Sequence, residues 1–178
     1  MLLIEVDEEI QLSSVQESYA PVYVDLAKKN YDYLAKWLAW PPHIKTEKDF
    51  DNFIARCKRD YESGNSITLG VVYAGKLIGN ISYKYINNEL KKVEIGYWIA
   101  KDYQGKGIIS RACARLVEYA FIDLDMSKVE MCVASENKSS RAVCERLGMT
   151  LEGIISNAEF VQGRILDHAI YGLHRDKT

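Results

Sequence analysis

The chain has no close cysteine pair, no histidine cluster, no basic block and no apolar run of membrane-spanning length. Each absence removes a class. Cys57, Cys113, Cys132 and Cys144 are scattered through helix- and strand-like patterns. That spacing suits reduced core residues of a cytoplasmic protein rather than a disulfide framework. His43, His168 and His174 are equally dispersed, so no metal site is expected. The net charge is −2, and without a basic stripe nucleic acid is not an expected partner. No segment is apolar enough for a spanning helix, so no membrane partner is expected either. The opening Met-Leu-Leu-Ile-Glu-Val-Asp-Glu-Glu is too short and too acidic for a signal peptide. No repeat, low-complexity tract or linker divides the 178 residues, which predicts one domain over residues 1–178, long enough to bury a substantial core.

The stretch from Val93 to Phe121 carries the strongest signal. Val93–Ile99 is rich in β-branched and aromatic residues and reads as a strand. From Ser110, apolar residues recur at Cys113, Leu116, Val117, Ala120 and Phe121, one face of a helix. Between them lies Gln104-Gly105-Lys106-Gly107-Ile108-Ile109. Two glycines let backbone N–H groups turn toward a ligand, and the helix behind adds unpaired amides and a partial positive charge. The combination is an anion site suited to a pyrophosphate. A Walker A loop fails, because Ala100 stands where its first glycine belongs and Gly107 where its Ser or Thr belongs. A Rossmann fingerprint lacks its third glycine at Ser110. A third pattern, Gln/Arg-x-x-Gly-x-Gly/Ala, is matched by Gln104 and Gly107 but not by Ile109. An ordinary glycine-rich turn also fits the loop taken alone.

The remaining chain supplies context. Leu2–Val6 and Ile10–Leu12 flank an acidic turn and predict a hairpin. Helices are predicted over Ser18–Lys29, Asn30–Leu38 and, after a Thr46–Asp49 capping box, up to Gly64. Ile67–Tyr73, Leu77–Tyr85 and Val93–Ile99 have short connections, which implies antiparallel pairing. Lys128–Ala134 is another strand, reached across a helix and so expected parallel to Val93–Ile99. A helix from Asn137 through Leu147 and a hairpin of Thr150–Phe160 with Ile165–Leu173 complete the chain.

In that order the elements resemble the GCN5-related N-acetyltransferase (GNAT) fold along nearly the whole length. Asn30–Trp40, Glu94–Ile99, Gln104–Ile108, Asn137–Ser140 with Arg146-Leu147-Gly148, and Leu151-Glu152-Gly153 with Asn157–Phe160 are similar to the ribosomal-protein N-alpha-acetyltransferase (RimJ/RimL) type. The resemblance implies a mixed α/β fold. Its mostly antiparallel sheet splays between the family's fourth and fifth strands, here Val93–Ile99 and Lys128–Ala134. It also implies acetyl-CoA as cosubstrate. The donor would be held by strand residues Tyr97, Trp98 and Ile99, by loop residues Gln104, Gly105, Lys106, Gly107, Ile108, Ile109 and Ser110, and by Asn137 on the pantetheine arm. Glu159 would be the general base acting through water, and Ser140 a hydroxyl near the departing thiolate. Trp37, Trp40 and Glu94 would line the acceptor side, with Glu94 as the alternative base.

Each residue also has a plainer reading. Trp37 and Trp40 suit a core, Lys106 and Glu159 suit solvent, Asn137 suits a helix cap, and His168 and Tyr171 suit packing or acceptor lining. The function expected is acetyl transfer by direct attack of a primary amine, foremost the N-terminal α-amine of a ribosomal or other protein. A small amine (polyamine, amino acid or antibiotic) and a non-catalytic acyl-CoA-binding module stay open as alternatives. Members of the family often form dimers, so a homodimer is a further expectation.

Overall fold

The computed structural model describes residues 2–175. It begins with a hairpin of β1 (Leu3–Glu5) and β2 (Ile10–Ser14). The Asp7 carboxylate closes the turn by accepting the Glu9 and Ile10 amides at 2.9 and 3.0 Å. A helical turn over Glu17–Tyr19 leads into α1 (Ala20–Lys29), where Pro21 occupies the first turn. α2 (Tyr31–Ala35) is shorter than its sequence pattern predicts, because Trp37 leaves the helix to pack on Ala134, Val161 and Leu166. α3 (Glu47–Glu62) starts at the expected capping box. The Asp49 amide reaches the Thr46 hydroxyl at 3.2 Å, and the Asp49 carboxylate accepts the Thr46 amide at 2.9 Å.

β3 (Ile67–Tyr73), β4 (Lys76–Asn87) and β5 (Lys92–Ile99) then form an antiparallel meander. The β3–β4 turn is Ala74-Gly75, both at positive φ, as a tight hairpin requires. α4 (Ile108–Ile122), β6 (Lys128–Ala134), α5 (Lys138–Arg146), β7 (Thr150–Val161) and β8 (Arg164–His174) follow. The strands of the described residues make one sheet in the order β1-β2-β3-β4-β5-β6-β8-β7. Alternation along β5 sorts its side chains onto two faces. Val93, Ile95 and Ile99 join Val129, Met131 and Val133 against Cys113, Leu116 and Ala120 of α4 and Val143 and Cys144 of α5. On the other face Tyr23 and Ala27 of α1 pack with Phe50 and Ile54 of α3. Each such aliphatic or aromatic side chain contributes about 1.5–3 kcal/mol on burial.

The feature that positions the site is the β5–β6 junction. The two strands run parallel, as expected, but pair only over Lys92–Glu94 and Lys128–Glu130. Beyond Glu94, β5 pairs with β4 alone. Beyond Glu130, β6 pairs with β8 alone. The sheet therefore opens into a wedge. The N-terminal hairpin contributes two strands, so the diverging pair is fifth and sixth along this chain rather than fourth and fifth.

Candidate active site

The wedge leads into a cleft of about 860 Å³ between the glycine loop, α2 and α5. Its floor is set by the start of α4, which begins at Ile108, two residues before the apolar periodicity predicts. Gly107 is the N-cap, with φ +70°, and Gly105 has φ +72°. Both sit in the left-handed region, where glycine carries no Cβ penalty. Since Gly107 has no side chain, it cannot cap the helix. The first α4 backbone bond is Arg111 N–H to the Gly107 carbonyl at 3.0 Å. The amides of Ile108, Ile109 and Ser110 therefore precede the helical ladder and, with the dipole, form an anion cradle. Cations of Lys36, Lys138 and Arg146 line the cleft, against the carboxylate of Glu136. Arg146 donates from Nε to the Ser110 hydroxyl at 3.2 Å, tying the end of α5 to the start of α4.

Two further contacts hold the loop. The Gln104 side-chain amide donates to the Tyr33 hydroxyl, and Asn30 Oδ1 accepts the Lys101 amide at 2.8 Å. The α1–α2 corner is thereby fastened to the glycine loop across the cleft mouth. Neither Tyr33 nor Asn30 is legible as a site residue from sequence, since both contacts span about 70 positions of chain.

Of the residues expected at the donor site, Tyr97, Ile99, Gln104, Gly105, Gly107, Ile108, Ile109, Ser110, Asn137 and Ser140 line this one cleft. Lys106 and Trp98 do not. The Lys106 ammonium lies 5.2 Å over the Tyr103 ring. Trp98 points to the other face of the sheet, with its ring 5.7 Å from Tyr23 and 5.5 Å from Trp40. Its main chain alone borders the wedge. Trp40 is thus part of the α1–α3 packing, whereas Trp37 lines the cleft and has the charges of Lys36 and Arg164 over its ring at 4.9 and 5.8 Å. Asn137 caps α5, its Oδ1 accepting the Ser140 amide at 3.2 Å.

Tyr97 carries an unexpected detail. Its hydroxyl is buried without a hydrogen-bond partner, and burial pushes its ionisation far above the ordinary tyrosine value. The Ser140 hydroxyl lies close enough to offset part of that rise, but outside hydrogen-bonding geometry. An orphaned buried donor costs about 1–3 kcal/mol. Tyr97→Phe should therefore raise the stability of the unliganded protein by about 1 kcal/mol, or roughly 2–4 °C in thermal midpoint for a chain of this size. A scan showing a comparable fall would mean that the hydroxyl is bonded.

On the sheet face opposite α4 and α5, a second group of side chains surrounds the wedge. Lys84 Nζ donates to Glu94 Oε1 at 2.8 Å. The Lys84 stem passes over Gly96, where a Cβ would meet it at 2.4 Å. Burial opposes the charge on Lys84, but Glu94 outweighs it and holds the ammonium above the ordinary lysine value. Glu94 is accordingly engaged as an ion-pair partner. Cys132 sits next to it, and burial with the Glu94 charge pushes its thiol up to about 11. Glu159 lies at the same face, with Oε2 3.2 Å from His168 Nε2.

The comparisons with known proteins fit this geometry. Residues 10–150 match the family described as an acetyltransferase (GNAT) domain. The chain belongs to the GNAT family. It is 36% identical over 97% of its length to YdaF of Bacillus subtilis, a protein assigned as a ribosomal N-acetyltransferase, of which 95% is covered. It is 29% identical, over 94% of both chains, to the ribosomal-protein-serine acetyltransferase of Escherichia coli. Among solved structures, RimL, the ribosomal L7/L12 alpha-N-protein acetyltransferase in complex with coenzyme A, superposes with a TM-score of 0.93 at 25% identity, covering 97% of this chain and 98% of that one. The microcin C7 self-immunity acetyltransferase MccE, in complex with acetyl-CoA and AMP, gives 0.92 at 30% identity, covering 97% and 96%. The chain is thus an N-acetyltransferase with the mixed, splayed sheet that its sequence led us to expect. Among the described residues no helix is long and apolar enough to cross a membrane, and no group of three potential metal ligands occurs.

Proposed function

We propose that this enzyme transfers the acetyl group of acetyl-CoA to the N-terminal α-amine of a polypeptide, with the glycine loop as the pyrophosphate site and Glu159 as the base. The observation that carries this reading is the wedge itself. It has an anion cradle on one side, at Gly105–Ser110, and a partly exposed carboxylate, Glu159, on the opposite sheet face. The relatives named for ribosomal-protein acetylation support the class of acceptor.

The chemistry follows from that arrangement. A thioester is already activated, so placing a neutral amine against its carbonyl is most of the task. Main-chain N–H groups of β5 beyond Glu94 border the opening, and one of them near Tyr97 stabilises the developing oxyanion. Glu159, directly or through one water, removes a proton from the acceptor ammonium. The neutral nitrogen attacks the thioester carbon, the C–S bond breaks, and the second proton released by the nitrogen passes to the sulfur, so that coenzyme A leaves as its thiol. The Ser140 hydroxyl, at the start of α5 in the cleft, donates to the departing thiolate. Trp37 shields the approach from water. Leu151, Ile154 and Ile155 stand exposed along the outer strand β7, which supports a homodimer.

An α-amine has a pKa of about 7.7–8.0 and a lysine side chain about 10.4, so a carboxylate base deprotonates the former far more readily near neutral pH. Transfer is therefore expected to peptides with a free N-terminus and not to N-terminally blocked peptides carrying lysine. The check is a product assay with acetyl-CoA on both sets plus small amines. Acetylation confined to lysine or to small amines would reject the α-amine reading. The MccE neighbour, solved with AMP, is the observation that favours a small-molecule acceptor as second reading.

A further inference from the structure

We propose that His168 is the positioning residue of Glu159, holding one carboxylate oxygen so that the other faces the acceptor amine; this rests on the reading of Glu159 as the base. The backbone is arranged to bring the two together. Between Ile155 and Glu159, β7 advances four residues while β8 steps only from His168 to Leu166. Two extra residues therefore bulge out of β7. Asn157 in that bulge adopts φ +53°, and its amide is pinned by Asp167 Oδ1 at 2.9 Å. A bulge re-aims the side chain next to it. Here that side chain is Glu159, whose Oε2 comes to 3.2 Å from His168 Nε2.

The backbone of His168 is itself fixed in the sheet. It lies on β8 opposite Ala134, at the end of the strand that bounds the wedge, and its side chain is 18% exposed against 38% for Glu159. Lys84 adds positive charge toward Glu159 from the β4 side. An exposed glutamate samples many rotamers, and fixing a long side chain costs about 1.5–2 kcal/mol of rotamer entropy. A histidine that donates from Nε2 to Oε2 selects one rotamer in advance and leaves Oε1 to take the proton as the ammonium N–H bond breaks. The Nε2–H tautomer makes Nε2 the donor.

The test uses His168→Phe, His168→Gln, Glu159→Gln and the Phe/Gln double variant of the full chain. Turnover number, KM for a free N-terminal peptide and calorimetric affinity for coenzyme A are measured for each. Glutamine can place an amide N–H near the Nε2 position, and phenylalanine cannot. The expected result is a roughly tenfold lower turnover number for His168→Phe, with coenzyme A affinity unchanged and activity largely restored in His168→Gln. Adding His168→Phe to Glu159→Gln should cause no further loss, since both act on one step. Wild-type turnover in His168→Phe, no rescue by glutamine, or multiplying losses in the double variant would overturn the positioning role alone. Wild-type turnover in Glu159→Gln would overturn the base reading and the positioning role together.

Discussion

Glu159→Gln is expected to lower the turnover number about 10²-fold, within the range of general-base contributions, and to leave the affinity for coenzyme A as it is. The substitution keeps the shape and a hydrogen-bond acceptor beside His168 but cannot take up a proton. Glu159 is at the open face formed by the β7–β8 hairpin, whereas the cleft proposed for the donor is built from Gly105–Ser110 and α5. Removing the charge should therefore touch the acceptor side alone. The other carboxylate expected there, Glu94, is bound to Lys84 at 2.8 Å, so it is poorly placed to substitute. Stopped-flow thiol release with saturating acetyl-CoA and peptide measures the effect. Wild-type turnover, with the chemical step shown to be rate-limiting, would mean that the amine reaches the site already neutral.

Gly107→Val is expected to weaken coenzyme A binding by tenfold or more, equivalent to about 1.4 kcal/mol or above. Two effects add. Gly107 has φ +70° at the N-cap of α4, where a Cβ costs about 1–2 kcal/mol. A Cβ there meets nothing within 4 Å, so the valine would stand in open space above the amides that a diphosphate must approach. Gly64 provides the control, because it has φ +72° and equally open surroundings but follows α3, away from the cleft. Gly64→Val should show the same strain in thermal stability and no change in coenzyme A affinity. Equal affinity losses in both variants would assign the effect to strain and reject the loop as the pyrophosphate site.

Most of the architecture was legible because burial periodicity differs between helix and strand. The alternation of Val93, Ile95 and Ile99, and of Val129, Met131 and Val133, marks the core face of β5 and β6 directly. The glycine loop was legible because glycine in a β–α turn has a backbone reason. What could not be read is register. Whether Trp98 faces the cleft or the α1–α3 layer depends on which way β5 is turned, and an aromatic residue suits both faces. The Lys84–Glu94 pair joins β4 to β5 across a bulge in their pairing, which no local pattern reveals. Glu159 and His168 meet because β7 carries two extra residues between Ile155 and Glu159. Asn157, a residue type that tolerates the left-handed region, was the one local hint. Tyr33 and Asn30 secure the loop from α1 and α2, and their role is visible only once the chain is folded.

Direct attack on the thioester leaves the protein itself unmodified. The cysteines support this: Cys57, Cys113 and Cys144 are buried. Cys132, the partly exposed one, has its thiol pushed up to about 11, so it is protonated and weakly nucleophilic near neutral pH. Intact-mass spectrometry of the enzyme and of a free N-terminal peptide, each followed through a single turnover with acetyl-CoA, therefore tests the transfer most directly. The expected result is one acetyl group on the peptide α-amine, stoichiometric coenzyme A release and no acetylated enzyme at any time, with no thioester consumed when the peptide is absent. An acetyl-enzyme that forms without peptide and then passes its acetyl group to the amine would contradict it.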